Sequence, residues 1–275
     1  MTGSELKRKL HAGERVYATC VVSTSPVWPA MIAQTGVDFV FIDTEHIPMD
    51  RHQLSSMCQT FNALGLPPLV RIPACDPALA NMAIDAGGRG VVSPYCESID
   101  DVHILRGATK YRPLKGERLQ QVLSGESPLE EPTKSYIAEM NQHNLCVVNI
   151  ESVKAMDMLD DICAVPDVDA LLIGPHDLSI NMNIPEDYTN PKFTQAIARI
   201  IEAGRSAGIG VGYHYSFGIE QTQLWAEMGA NLIVHSSDYF LTKQALTDDL
   251  RRLRTALGDA DPLASNDGDD ALVTI

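Results

Sequence analysis

The chain has 275 residues, and 21 Lys and Arg against 36 Asp and Glu give it a net charge of −15 with histidine neutral. This balance argues against a nucleic-acid-binding protein, because contact with phosphates requires clustered Lys and Arg. The apolar fraction of 45% is typical of a globular domain, and the sequence has neither an apolar run long enough to span a membrane nor an apolar segment in its polar first 15 residues. We therefore expect a cytoplasmic protein with no membrane partner.

Eight short apolar and β-branched segments recur along the chain and predict strands. They are residues 16–23, 39–45, 68–72, 90–95, 146–151, 170–175, 210–214 and 232–237. Most of them are continuously apolar, which indicates burial on both faces and therefore parallel pairing under covering helices. Helix-start signals such as Asp50 and Asn190-Pro191 stand between the segments, and several of the intervening segments end on a glycine.

The alternation of strand and helix predicts a single-domain α/β protein, a (β/α)8 TIM barrel that occupies residues 1–257. An open doubly wound sheet is the alternative fold, although no G-x-G-x-x-G follows the first strand, as its dinucleotide-binding form requires. Residues 258–275 carry five Asp and are expected to form an acidic, mobile tail. The last five residues of that tail could instead dock on a neighbouring molecule.

The two longest spacings between predicted strand starts follow the fourth and the sixth strands. Insertions in such a barrel usually elaborate the loops after the strands, on the catalytic face. We therefore expect residues 112–131 and 180–190 to form loops that cover the substrate.

Polar residues at the strand ends are the candidates for chemistry, because the carboxyl ends of all strands meet at one mouth. Glu151 and Asp177 end the fifth and sixth strands, which are neighbours in a barrel. Two converging carboxylates repel each other unless a cation lies between them, and a hard divalent cation is the usual solution. Each acid alone could also cap the helix that follows it. Arg71 ends the third strand, where a guanidinium must pair with a carboxylate or await an anionic ligand.

His46 follows the second strand, with Asp43 and Glu45 next to it in the sequence. This grouping predicts a general base oriented by a carboxylate, or alternatively a histidine that caps the following helix. Three further strand-end histidines would either extend a metal-binding site or act as hydrogen-bond partners. They are His176, His214 and His235.

Several strand-end strings occur together in order, namely Ile42-Asp-Thr-Glu-His46, Val70-Arg-Ile-Pro73, Val148-Asn-Ile-Glu151 and Ile173-Gly-Pro-His-Asp-Leu-Ser179. In combination they resemble the HpcH/HpaI aldolases, which are class II, metal-dependent pyruvate aldolases of the phosphoenolpyruvate/pyruvate barrel superfamily. The likeness extends from about residue 16 to residue 257. It implies a (β/α)8 barrel that is a carbon–carbon lyase.

The resemblance also implies a magnesium, manganese or cobalt ion at Glu151 and Asp177, where it would hold the keto oxygen and carboxylate of pyruvate. It implies that Arg71 stabilises the enolate oxygen, that His46 is the proton acceptor, and that Asp85 raises the basicity of His46. Asp43 is counted with these catalytic candidates.

The pyruvate site is expected to involve a set of residues that follow the fifth and sixth strands. They are Asn149, Gly174, Pro175, His176 and Asp177. Family members commonly have glutamine at the position of Asn149 and alanine at that of His176, so the pose of the substrate cannot be carried over directly.

The expected reaction is reversible cleavage of a 4-hydroxy-2-oxo acid to pyruvate, or a related 2-oxo acid, and an aldehyde. Three alternatives stay open: a Schiff-base aldolase, for which Lys154 is the nearest lysine; the same enolate chemistry with an acyl-CoA or keto-acid electrophile; and a barrel that only binds a keto acid. The resemblance further implies a homo-oligomer, a hexamer or trimer of dimers, with the last helix exchanged between subunits.

Overall fold

Eight parallel strands form a closed barrel in the part of the chain that the computed structural model describes, residues 1–216 and 218–263. They are β1 (Val16–Cys20), β2 (Val40–Asp43), β3 (Pro68–Arg71), β4 (Gly90–Ser93), β5 (Leu145–Ile150), β6 (Ala170–Ile173), β7 (Gly210–Tyr215) and β8 (Leu232–Ser237). Each strand pairs with the next one in the sequence, and β8 pairs with β1. This closure confirms the predicted TIM barrel and excludes the open doubly wound sheet.

Thirteen helices are described in these residues. They are α1 (Gly3–His11), α2 (Trp28–Ile32), α3 (Arg51–Ala63), α4 (Pro77–Asp85), α5 (Ile99–Lys110), α6 (Gly116–Leu123), α7 (Thr133–Asn141), α8 (Val153–Asp157), α9 (Leu159–Ala164), α10 (Pro175–Asn181), α11 (Pro191–Ser206), α12 (Ile219–Glu227) and α13 (Asp238–Leu257). None of the helices in residues 1–216 and 218–263 is both long enough and apolar enough to cross a membrane.

The apolar side chains of the strands pack into two cores, one inside the barrel and one between the barrel and the helices. On β3, for example, Leu69 packs inside the barrel while its neighbour Val70 packs against the helices. The inner core also contains Leu6 and Leu10 of α1, which closes the N-terminal end of the barrel. Because side chains alternate along a strand, the next inward position after Leu69 is Arg71, which lies at the opposite end, the mouth.

The expectation that residues 112–131 cover the substrate is wrong. This segment follows α5, not β4, so it begins at the N-terminal end of the barrel, which we call the base, and none of its residues lines the cavity at the mouth. Its helix α6 packs closely on α5, where a Cβ added to Gly107 would lie 3.1 Å from side-chain atoms of Leu119 and Leu123. Together with α4 and α5 the segment lines an apolar cavity of about 1070 Å³, away from the strand-end residues.

Residues 180–190, in contrast, do lie at the mouth. They continue from α10, which starts directly after β6. Tyr188 lines the cavity at the barrel mouth, and Glu186 lies 3.2 Å from His176. The acidic tail predicted for residues 258–275 falls largely outside the described residues, as do the last five residues that could dock on a neighbour.

Candidate active site

Arg71 and Asp43 form a buried ion pair at the mouth. The parallel register of β2 and β3 places the two residues opposite each other. Arg71 Nε donates to Asp43 Oδ1 at 2.9 Å, and Arg71 Nη2 donates to Oδ2. Burial acts to raise the pKa of Asp43, but the guanidinium outweighs it and the pKa is lowered. The bidentate pairing therefore fixes Arg71 in its charged form, and Asp43 serves Arg71 and makes no hydrogen bond with His46.

Glu45 is the carboxylate that lies beside His46. Its Oε2 is 3.7 Å from His46 Nε2 and 3.3 Å from Arg71 Nε, yet this buried oxygen accepts no hydrogen bond. Burial raises the pKa of Glu45. Since His46 is 44% exposed at its side chain and lines the mouth cavity, it can meet a ligand there.

Glu151 is a buried carboxylate with no cationic side chain bonded to it. It is 2% exposed, and burial, with the nearby charges of Asp177 and Glu45 adding to it, raises its pKa to about 8. Glu151 does not cap α8, because the hydroxyl of Ser152 accepts from Ala155 N–H in that role. The capping alternative is thus wrong for Glu151.

Asn149 and Gly174 shape the surroundings of Glu151. Asn149 Nδ2 donates to Glu151 Oε2, while Asn149 Oδ1 is buried without a hydrogen bond. A Cβ added to Gly174 would lie 2.5 Å from Glu151 Oε2, so any larger residue at this position would displace the carboxylate.

Tyr95 is a site residue that the sequence interpretation missed. It follows β4, and its backbone N–H donates to Glu151 Oε1 at 2.8 Å. Its hydroxyl donates to Asp177 Oδ1 at 2.9 Å. The only signal in the sequence was its place as the last residue of the predicted strand 90–95, because a hydrogen bond made by a backbone N–H leaves no mark in residue type.

A cavity of about 310 Å³ brings most of the predicted site residues together at the mouth. Its lining includes His46, Arg71, Asn149, Gly174, Pro175, His176 and Asp177, with Tyr188, His214 and Tyr215 beside them. No lysine lines it, and Lys154 is exposed on α8, so the described residues give no support to a Schiff-base mechanism.

The further histidines do not extend a metal site. His214 Nε2 lies 3.2 Å from the carbonyl oxygen of Ser236, and burial together with the charge of Arg71 lowers its pKa to about 4. His235 alternates with inward-facing Val234 and lines a different cavity under α13, so its predicted place at the mouth is wrong. Within residues 1–216 and 218–263, no group of three or more His, Cys, Asp and Glu side chains could hold a metal ion.

Asp85 is not brought to His46 within one copy of the chain. It ends α4, which runs from the mouth to the base, and there it pairs with Arg112. Its side chain is 67% exposed.

The two carboxylates suit a hard divalent cation that keeps water or substrate as further ligands. Magnesium is usually held by only one or two carboxylates together with substrate oxygens, so the absence of a third protein ligand from the described residues agrees with this chemistry. Two buried oxygens at this site, Glu45 Oε2 and Asn149 Oδ1, accept no hydrogen bond. The site therefore lacks a positive charge or hydrogen-bond donors with which these oxygens could interact.

The closed barrel, with acids and an arginine gathered at the C-terminal ends of its strands, has the arrangement of a TIM-barrel enzyme site. The family model for HpcH/HpaI aldolase/citrate lyase matches residues 20–245, and the chain belongs to this family.

Individual relatives agree with this assignment. The chain is 28% identical to a hydroxypyruvate/pyruvate aldolase of Roseovarius nubinhibens over 253 residues, which cover 90% of this chain and 96% of the relative. It is 30% identical to a 2-dehydro-3,6-dideoxy-6-sulfogluconate aldolase of Pseudomonas putida over 194 residues, 70% of this chain and 75% of that one. The crystal structure of an HpcH/HpaI aldolase/citrate lyase family protein from Burkholderia cenocepacia J2315 matches with a TM-score of 0.78 at 29% identity, covering 91% of this chain and 99% of that chain.

Proposed function

We propose that the protein is a divalent-metal-dependent aldolase, which reversibly cleaves a 4-hydroxy-2-oxo acid to pyruvate, or a related 2-oxo acid, and an aldehyde. The observation that carries the proposal is that Arg71 and Asp177 line one mouth cavity, and that the buried Glu151 lies close enough to both for their charges to act on its pKa. The names of the aldolase relatives support the same reaction class.

Glu151 and Asp177 are the residues that would hold magnesium, manganese or cobalt. Such an ion, when bound, supplies a Lewis acid that polarises the keto group of the substrate. The raised pKa of Glu151 fits this role, because a carboxylate that burial penalises gains most from a nearby cation. The amide of Asn149 and the backbone of Tyr95 orient Glu151 by hydrogen bonds to both of its oxygens.

Arg71 stabilises negative charge on the substrate. Asp43 occupies its Nε and Nη2 groups, and among the described residues no acceptor is found for Nη1. The fixed guanidinium lines the cavity and meets the oxygen on which negative charge develops when the enolate forms. Preorganised donors of this kind contribute several kcal/mol to catalysis, roughly 3 kcal/mol for one donor.

His46 takes the proton of the substrate's 4-hydroxyl group. As this proton leaves, the oxygen forms the carbonyl of the aldehyde, the carbon–carbon bond breaks, and its electron pair remains with the 2-oxo acid as the enolate. Glu45, 3.7 Å away, favours the protonated imidazole that results. The enolate carbon then takes up a proton from solvent to give pyruvate, and His46 releases its proton to solvent. In the reverse direction pyruvate first loses that carbon-bound proton to form the enolate, and His46 gives a proton to the new hydroxyl group. Asp85 lies at the base of its own chain, so an influence of Asp85 on His46 would have to come from a second copy of the chain.

Exchange of the methyl protons of pyruvate in deuterated water tests enolate formation directly. We expect exchange with added manganese or magnesium, its loss in excess EDTA, and its loss in Glu151→Ala. Glu139→Ala, at an exposed position of α7, is the matched control and should exchange at the wild-type rate. Pyruvate binding without exchange under every metal would contradict the proposal and favour the barrel that only binds a keto acid.

A second candidate keeps the enolate and changes its electrophile to an acyl-CoA or a keto acid. The observation that favours it is His176, an imidazole that lies beside Asp177 in the cavity lining and 3.2 Å from Glu186. A screen of aldehydes, thioesters and keto acids with the same enzyme separates the two, since each predicts consumption of a different partner.

We also propose that the chain forms a homo-oligomer through α13. This helix has 20 residues and buries only Asp238, while it exposes several leucines. These are Leu241, Leu246, Leu250, Leu253 and Leu257. A second copy of the chain would cover this apolar face. Light scattering after size-exclusion chromatography should give a molecular mass that is a multiple of 30.0 kDa. The double variant Leu250→Asp with Leu253→Asp should have a lower molecular mass in the same measurement.

A further inference from the structure

Tyr95 connects the two acids that the proposed function assigns to the metal. Its N–H donates to Glu151 Oε1 at 2.8 Å, and its hydroxyl donates to Asp177 Oδ1 at 2.9 Å. Glu151 follows β5 and Asp177 lies in the first turn of α10, after β6. One residue from a third loop therefore sets the positions of carboxylates that come from two other elements.

The backbone of Tyr95 is held in an unfavourable conformation. Its φ is +44°, in the left-handed region where glycine and asparagine are usual and an aromatic residue is uncommon. Burial of the ring does not compensate for this, because Tyr95 is 43% exposed. The next residue, Cys96, is fully buried and anchors the loop. Strained residues of this kind concentrate at functional sites, where the surrounding structure holds them.

Only one of the two hydrogen bonds made by this residue requires a tyrosine side chain. Any residue except proline supplies the N–H that reaches Glu151, and glycine or asparagine would supply it with less strain. The hydroxyl that reaches Asp177 requires the tyrosine side chain. The strained backbone and the exposed ring are both accounted for if the hydroxyl is the feature in use.

We propose that Tyr95 is a positioning residue, which holds Glu151 and Asp177 in the arrangement that a divalent cation requires. This inference rests on the proposed function, because it takes these two acids as the cation ligands. Each hydrogen bond uses one oxygen of a carboxylate and leaves other lone pairs for the cation. Tyr95 acts through the acids and takes no part in proton transfer.

The test compares metal affinity, turnover and stability in matched variants. Tyr95→Phe removes the hydroxyl and keeps the ring and the N–H, while Tyr95→Asn removes the hydroxyl and relieves the backbone. Isothermal titration of EDTA-stripped, dialysed protein with Mn²⁺ should show about tenfold weaker binding in both variants, as is usual when a residue that orients a metal ligand is lost. Pyruvate exchange at saturating Mn²⁺ should fall less than the affinity does. Thermal unfolding of Tyr95→Phe should match the wild type, and Tyr95→Asn should be at least as stable.

Tyr136→Phe is the control for loss of a tyrosine hydroxyl, since Tyr136 is 60% exposed on α7, and its Mn²⁺ affinity should equal that of the wild type. Wild-type affinity in Tyr95→Phe would overturn the positioning role and leave the proposed function intact. A loss of affinity that only parallels a loss of folded protein would also overturn it, in favour of a structural role. If the wild type neither binds Mn²⁺ nor exchanges pyruvate protons, the proposed function fails and the positioning role fails with it.

Discussion

Two buried carboxylates, Asp169 at the base of the barrel and Glu151 at its mouth, have opposite surroundings. At the base, Asp169 pairs with Lys110 and accepts the N–H of Cys146 at 2.7 Å. At the mouth, Glu151 receives hydrogen bonds from an amide and a backbone N–H but has no cationic side chain bonded to it, and its pKa rises to about 8. At the base, a lysine of the same chain neutralises the carboxylate of Asp169, and this pairing stabilises the fold. At the mouth, Glu151 has no cationic side chain bonded to it, and this is the end of a TIM barrel where catalytic sites lie.

Removal of the Glu151 carboxylate should have the largest effect of these changes, and the effect should be a loss of activity. Glu151→Gln is expected to slow pyruvate exchange about 1000-fold, the scale of losing a major electrostatic group in an active site. The free energy of unfolding of the metal-free variant should equal or exceed that of the wild type near pH 8, because an uncompensated buried charge is gone. Denaturant unfolding with parallel exchange kinetics checks both, and a large loss of stability would contradict the contrast between the two ends.

The corresponding change at the base should affect stability instead. Asp169→Asn leaves Lys110 buried without its carboxylate, and we expect the free energy of unfolding to fall by about 3 kcal/mol. Exchange per folded molecule should be unchanged. Asp167→Asn is the matched control, because it also removes the carboxylate partner of a cation, Arg106. The side chain of Asp167 is 46% exposed, so the loss of this pair should cost less than about 1 kcal/mol.

The pH dependence of stability should also carry the signature of Glu151. Its pKa is about 8 in the folded state, against an ordinary value of 4.5 for a glutamate, so the folded protein binds the proton more tightly than the unfolded chain does. The resulting stability is complete below pH 4.5 and is lost as the pH rises through 8. In EDTA, wild type should lose about 4 kcal/mol more than Glu151→Gln across this window, since each pKa unit corresponds to about 1.4 kcal/mol. Parallel curves for the two proteins would contradict the assignment.

The smallest effect is expected at an exposed pair of the base. Asp85→Asn removes the partner of Arg112, but the carboxylate is 67% exposed and the change should cost less than about 0.5 kcal/mol. Chemical denaturation measures this cost. The pH–rate profile of the same variant tests the influence on His46 that the family resemblance implies, since such an influence would shift the profile without a loss of stability.

One argument from the sequence predicts both the fold and the residues at the barrel mouth. Continuously apolar strands indicate a parallel sheet, and the strand ends of a closed barrel meet at one mouth, which placed Arg71 and Glu151 correctly. His235 shows where this argument fails, because a shift of one residue along a strand turns a side chain from the inside to the outside. The spacing of strands also did not reveal whether extra residues follow the strand or the helix, and residues 112–131 follow the helix α5. The contacts of Tyr95 with Glu151 and Asp177 are made from a loop conformation with a positive φ, which its residue type does not suggest.

The closure of the base by α1 has a consequence for the order of folding. The carbonyl oxygen of Leu10 accepts hydrogen bonds from Arg205 and Asn231, which are 195 and 221 positions further along the chain. α1 leaves the ribosome before both of these residues, and it therefore cannot make these contacts until nearly the whole barrel has been synthesised. Asn231 directly precedes β8 and also donates to the carbonyl oxygen of Glu14 beside the seam where β8 joins β1, so the base and the seam close together once β8 has been synthesised.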